Sequence, residues 1–269
     1  MENIISTMLQ SYIAMGIVSV LWVVVGFSIA FGDSIGSEGF GLFGNPLTYF
    51  MFRGVGGGTH PNLAPTFPFA VFAMFQLKFA IITPALITGS FAGRVHFRAY
   101  MLFMCLFIVF IYAPLAHWTW HPNGFLRNWG VLDFAGGTVV HMSAGFAAPA
   151  GAIFLGRRKD ANKEFKPANI PYILLGAGMI LTAVFANEVG LIHGETNTFL
   201  YHLPALVIVG IFTFGGSILL YKITDLIVPM RISPHGEKIG LDISQHEESY
   251  NFVYSDEKRP LFILSELVV

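Results

Sequence analysis

Residues 132–145 read LDFAGGTVVHMSAG, an acid, a run of small and apolar residues, and a histidine eight positions beyond the acid. An α-helical residue rises about 1.5 Å, so a helix that begins at Asp133 carries His141 about 12 Å along its axis. In a hydrocarbon core about 30 Å thick, that depth is close to the middle. An ionisable side chain there is costly and marks a functional site by default. A packing reading competes with it. Gly137 and Gly145 lie one turn to either side of His141, and Ala144 and Ala148 extend the small surface, as close helix contacts require. Asp133 is open in the same way: an acid before a helix caps free backbone N–H groups, or it belongs to the site.

The composition fits a chain that enters lipid. Of the 269 residues, 54% are hydrophobic and 12% charged, and the mean hydropathy is +0.65. Soluble domains carry roughly 25% charged residues. The net charge of −1 excludes a basic nucleic-acid binder and an acidic tail protein. Cys105 is the only cysteine, so there is no disulfide framework and no cysteine metal site. The expected fold class is all-α, a polytopic membrane helix bundle.

Apolar runs place six spans at about 12–31, 68–91, 98–116, 135–155, 171–189 and 203–221. The first is too long for a signal-peptide core and lacks a basic leader; it reads as a retained span, with cleavage after Ala30 the alternative. Pro84 and Gly89 imply a kinked second span, and Pro204 falls in the first turn of the sixth. Of the 15 Lys and Arg residues, 12 fall in segment 92–98, in the loop GRRKDANKEFKP and in the tail from Lys222. The opposite loops hold Arg53 and Arg127, and Lys78 lies inside a span. The positive-inside rule then puts both termini in the cytoplasm, with the Gly-, Pro- and Asn-rich loop 32–67 outside.

Two aromatic groups stand out. HWTWHPNG, residues 117–124, closes the third span, where tryptophans serve as interface belt or bind a cation through the ring face. In MFQLKF, residues 74–79, Phe75 and Phe79 share one helix face, either toward lipid or toward a site. No nucleotide loop, zinc helix, nucleophile elbow or carboxylate pair occurs, so hydrolysis and phosphate chemistry have no support and the chain reads as a non-enzyme without cofactor or metal. A haem-binding redox subunit that uses His141 with His117 or His202 is an alternative. It needs two histidines at matched depth, whereas His117 and His202 fall near outer ends.

LDFAGGTVVHMSAG, FQLKFAIITPALITGSFAGRVHF, APLAHWTW and GEKIGLDISQH together resemble the ammonium transporter (Amt/MEP/Rh) family, over about residues 2–250. The resemblance implies channel-like ammonium and ammonia transport in the cell (inner) membrane. It implies that Trp120 and Phe75 form an outer cation–π site, that Phe79 joins Phe75 as a gate, that Asp133 supports the site, and that His141 is the first of two pore histidines. A homotrimer and a cytoplasmic PII-type signal protein as regulator are implied as well.

The family pattern is one of eleven helices with two inverted five-helix repeats, and this chain departs from it. The stretch corresponding to the first helix is absent. NIPYILLGAGM, similar to the start of the sixth helix, passes directly into ILTAVFANEVG, similar to the end of the tenth. The resemblance therefore implies an internal deletion near Gly178–Ile180 that takes the second pore histidine with it. Both helices run the same way through the membrane, so the junction is a single span of correct direction. Gly93 stands where the family carries an acid before its arginine. The reading divides the chain into a transmembrane domain over 1–232 and a cytoplasmic tail over 233–269. The alternative to conduction is a non-conducting subunit that assembles with full-length transporters.

Overall fold

The computed structural model describes residues 4–37, 39–157 and 196–247, with the pairs 253–254 and 260–261. Five helices are long and apolar enough to cross a membrane: α1 (Ile5–Phe31), α2 (Phe69–Ser90), α3 (Phe97–Trp120), α4 (Gly137–Leu155) and α5 (Tyr201–Ile227). The span expected at 171–189, with the junction at Gly178–Ile180, lies outside the described residues. The helices pack in a closed ring, α1 on α2, α2 on α4, α4 on α5, α5 on α3 and α3 back on α1.

Close contact is built from aromatic plates and small residues. Tyr221 of α5 stacks on Phe103 of α3, ring centroids 4.2 Å apart, and its hydroxyl donates to the Ala147 carbonyl of α4 at 3.0 Å. Gly151 allows this approach, since a Cβ there would lie 2.3 Å from the Phe91 ring and 2.8 Å from the Tyr221 hydroxyl. Trp22 is fully buried in α1 and donates Nε1–H to the Ala73 carbonyl of α2.

Several boundaries differ from the sequence expectation. The first helix begins at Ile4 instead of near residue 12. Its early amides are held from the tail: the buried Asp242 carboxylate accepts from Ile5 N at 3.1 Å and Ser6 N at 2.8 Å. Pro204 lies inside the helix Thr196–Ile227 instead of in its first turn. Pro84 is carried within a continuous Phe69–Ile87 helix, as expected. In α3 the turn before Pro114 widens to π geometry over Ile108–Tyr112, where proline has no N–H to return to a carbonyl.

The loop 32–67 holds an antiparallel hairpin, β1 (Ser34–Ser37) with β2 (Phe40–Gly44). On the opposite side, Arg94 donates to the Gly156 carbonyl at 2.6 Å and Arg231 to the Leu155 carbonyl at 2.5 Å. Two cations thus close the C-terminal end of α4, the favourable place for them on its dipole. With no acid at Gly93, which adopts a left-handed φ of 75°, Arg94 is engaged by backbone carbonyls.

Candidate functional site

The decisive local structure is the entry to α4. Asp133 Oδ1 accepts from Gly137 N at 2.7 Å, and Oδ2 from Thr138 N at 2.9 Å and Val139 N at 3.1 Å. Both oxygens are spent on amides that a helix start leaves open. Gly136 turns the chain into this cap with a φ of 76°, and a Cβ there would meet the Val140 side chain at 2.8 Å. The first turn, Gly137–Met142, is a π-helix, with His141 N bonded to the Gly136 carbonyl.

The helix therefore starts at Gly137, not Asp133, and His141 lies about one turn, roughly 6 Å, below its start. That corrects the 12 Å expectation. On this face the small-residue packing reading finds no partner for Gly137 or Gly145 among the described residues. A Cβ on Gly137 or on Gly145 would meet nothing within 4 Å, so the stripe Gly137–His141–Gly145 is left uncovered by the described residues. The half-buried His141 ring has no hydrogen-bond partner recorded among the described residues.

Next to the cap is a cavity of about 250 Å³ lined by Phe75, Phe79, Trp120 and Asp133 together with Phe31, Phe72, Gln76 and Arg127. The three aromatic rings form a chain: Phe75 to Phe79 is 5.0 Å at 79°, and Phe79 to Trp120 is 5.9 Å at 61°. Trp120 is fixed at both ends, its Nε1–H donating to the Asp133 carbonyl at 3.2 Å and its own carbonyl accepting from Arg127 at 2.6 Å. Phe75 is 58% exposed. Four of the five sequence-expected residues thus meet in one cavity, and His141 is not among its lining residues.

Arg127 and Gln76 were not singled out from sequence. The four-residue helix Phe125–Asn128 carries Arg127 back over Trp120, which no spacing rule reveals. Gln76 lies one position from Phe75; its Oε1 is buried without a described partner.

A second cavity of about 390 Å³ shares Phe31, Asn62 and Leu63 with the first and adds Asp33, Ser34, Tyr49, His60 and His121. His117, fully buried beside it, stacks on His121 at 4.3 Å. Its Nδ1–H donates to the Ala30 carbonyl at 3.0 Å, so its Nε2 accepts from the Ser34 hydroxyl at 2.7 Å. Both ring nitrogens are spent inside the fold, which leaves none for haem iron. His202 Nε2 donates to the Leu132 carbonyl at 2.8 Å, bracing the turn before Asp133. Outside the spans, burial holds His121 down to about 4, with Arg127 and His60 adding to the effect and Asp33 opposing it.

The Ammonium Transporter Family profile matches residues 1–185 and 177–251 of this chain. The chain belongs to the ammonium transporter family. It is an integral membrane protein of a transporter family. The ammonium transporter of Aquifex aeolicus is 46% identical over 189 residues, 70% of this chain and 42% of that protein. That of Mycobacterium tuberculosis is 40% identical over 201 residues, 66% of this chain and 41% of its own. The chain spans less than half the length of these relatives. Among solved structures, Saccharomyces cerevisiae Mep2 aligns at TM-score 0.54 and 28% identity, over 79% of this chain and 42% of its own. A sensor Amt protein aligns over 91% of this chain and 90% of its own at TM-score 0.71 and 20% identity, a likeness of fold.

Proposed function

We propose that the outer cavity recruits ammonium and that the bundle forms part of a path for ammonium and ammonia across the membrane. The observation that carries this is the convergence of Phe75, Phe79, Trp120 and Asp133 on one cavity. Ring faces attract a cation with about 0.5–2 kcal/mol each, more as water is excluded. Asp133 adds negative charge nearby while its oxygens hold the helix. Deeper in an apolar path the charged form of ammonium is disfavoured and its pKa falls. It then passes its proton to water of the outer cavity, leaving ammonia and hydronium, and ammonia continues toward His141, a residue suited to proton relay; potassium, which has no proton to lose, is held back.

The stripe at Gly137, His141 and Gly145, uncovered among the described residues, supports a second reading, a non-conducting subunit that assembles with full-length transporters. A deletion near Gly178–Ile180 accounts for a family match in two parts over a chain of this length. Family membership supports a homotrimer and a PII-type protein at the cytoplasmic face, and the basic loops support cytoplasmic termini. A cysteine introduced at Lys163 is then labelled only from the cytoplasmic side; labelling from outside would reverse the orientation.

The site is tested by calorimetric titration of the full chain in lipid nanodiscs with methylammonium. Trp120→Leu and Phe75→Ala each weaken binding at least about fivefold, in line with the loss of one ring face. Binding unchanged in both variants would remove the outer site.

A further inference from the structure

Lys78 is an ionisable side chain for which the proposed path has no use. It is the one Lys, Arg, Asp or Glu of Phe69–Ser90, about 14 Å from the Phe69 end and about 18 Å from the Ser90 end of α2. A charge at such depth is expensive and calls for a role. Among the described residues of the five spans, Asp225, at the far end of α5, is the only carboxylate. It accepts from Met230 N at 2.7 Å.

Lys78 is exposed on the stripe that also exposes Val71, Phe75 and Ile82. The spacing puts it one turn below Phe75. Cα–Cβ bonds of a helix tilt toward its N-terminus, which in α2 is the end at the aromatic cavity. The four-carbon stem lies along apolar surface while its head seeks the nearest polar space. Both tendencies carry the Lys78 ammonium toward the level of the Phe75 ring.

We propose that Lys78, which does not itself line the outer cavity, is a specificity-determining charge beside it, a built-in cation one turn below Phe75 that weakens ammonium binding and opposes any ion that keeps its charge. This inference rests on the ammonium reading of the cavity. Two like charges about 10 Å apart near a protein surface repel enough to change binding about tenfold. Neutral ammonia carries no net charge and passes such a barrier. Arg127 already lines the cavity, tied to the Trp120 carbonyl; the lysine adds a second positive charge below the rings, so that discrimination rises against ions that keep their charge.

The test repeats the methylammonium titration with Lys78→Met, Lys78→Gln and Lys78→Arg, at low and high salt. Met and Gln tighten binding about tenfold at low salt, Arg leaves it as in the unchanged chain, and the gain shrinks at high salt. Trp120→Leu added to Lys78→Met abolishes the gain. Equal affinity with Met, Gln and Lys would overturn the proposal, as would tightening by Arg to the same extent. Trp120-dependent binding that ignores Lys78 removes this inference alone. Binding that ignores Trp120 in every variant, or none in any, removes the outer cavity and this inference together.

Discussion

Asp133 shows how one side chain serves structure beside a site. Its two oxygens take three amides at the start of α4, so Asp133→Ala costs about 2 kcal/mol of stability, while Asp133→Asn, which keeps an acceptor, costs less. Thermal unfolding in detergent reads the difference, and equal midpoints would dismiss the cap. From sequence both roles stood open, because an acid before FAGG is compatible with either; the amide distances decide the first. His121 gives a second residue-scale expectation. Its pKa near 4 lies below the ordinary value of about 6.5, so the unfolded chain takes up this proton first as pH falls. Its contribution is constant above about pH 6.5 and turns destabilising between there and pH 4. The midpoint of unfolding therefore falls in that window, and His121→Gln flattens part of the slope; an identical slope would refute the assignment. Phe75, Phe79 and Trp120 were legible as candidates from their motifs, and each kept a bland alternative that only the ring-to-ring geometry addresses. Arg127 was not legible, since a turn and not a periodicity brings it over Trp120.

At the scale of elements, the runs of apolar residues made four of the described spans readable to within a few residues at most of their ends. The early start of α1 has its origin in a partner far away in sequence. Ser6 and Gln10 look too polar to begin a span, yet both are buried, and Asp242 caps the amides around Ser6. Asp242→Ala should cost about 2–3 kcal/mol, the range for a buried charge-assisted pair of bonds, and fray the first turns of α1. Hydrogen exchange at Ile5 and Ser6 checks this, and unchanged protection would deny the tail its part. The hairpin of β1 and β2 escaped notice for a similar reason. Its glycine-rich sequence has no alternation to read, and its bonds are completed by Asn123, which accepts from Gly39 N and Gly41 N.

At the scale of the whole molecule, the five described spans form a closed ring. The described residues leave Gly137 and Gly145 uncovered and Phe75 and Ile82 exposed, and irregular or polar groups tolerate membrane depth only where protein or a water-filled cavity covers them. Expressed alone in cells that lack their own ammonium transporters, the chain therefore fails to restore growth on low ammonium near about pH 6. Growth that His141→Ala abolishes would show that the ring closes a path by itself. The fold class and family were legible because membrane composition and the DFAGGTVVH stretch are local. The junction at Gly178–Ile180, a break in resemblance, lies outside the described residues.

The bond between Asp242 and the start of α1 also sets an order of events during synthesis. Ser6 and Asp242 are 236 positions apart, so at a synthesis rate of about 5–20 residues per second the first helix waits roughly ten to fifty seconds for its cap. During that time its leading amides have only water or lipid headgroups to bond. A nascent chain arrested before residue 242 thus carries an α1 with an open end, and the arrival of Asp242 is the moment at which that end is closed.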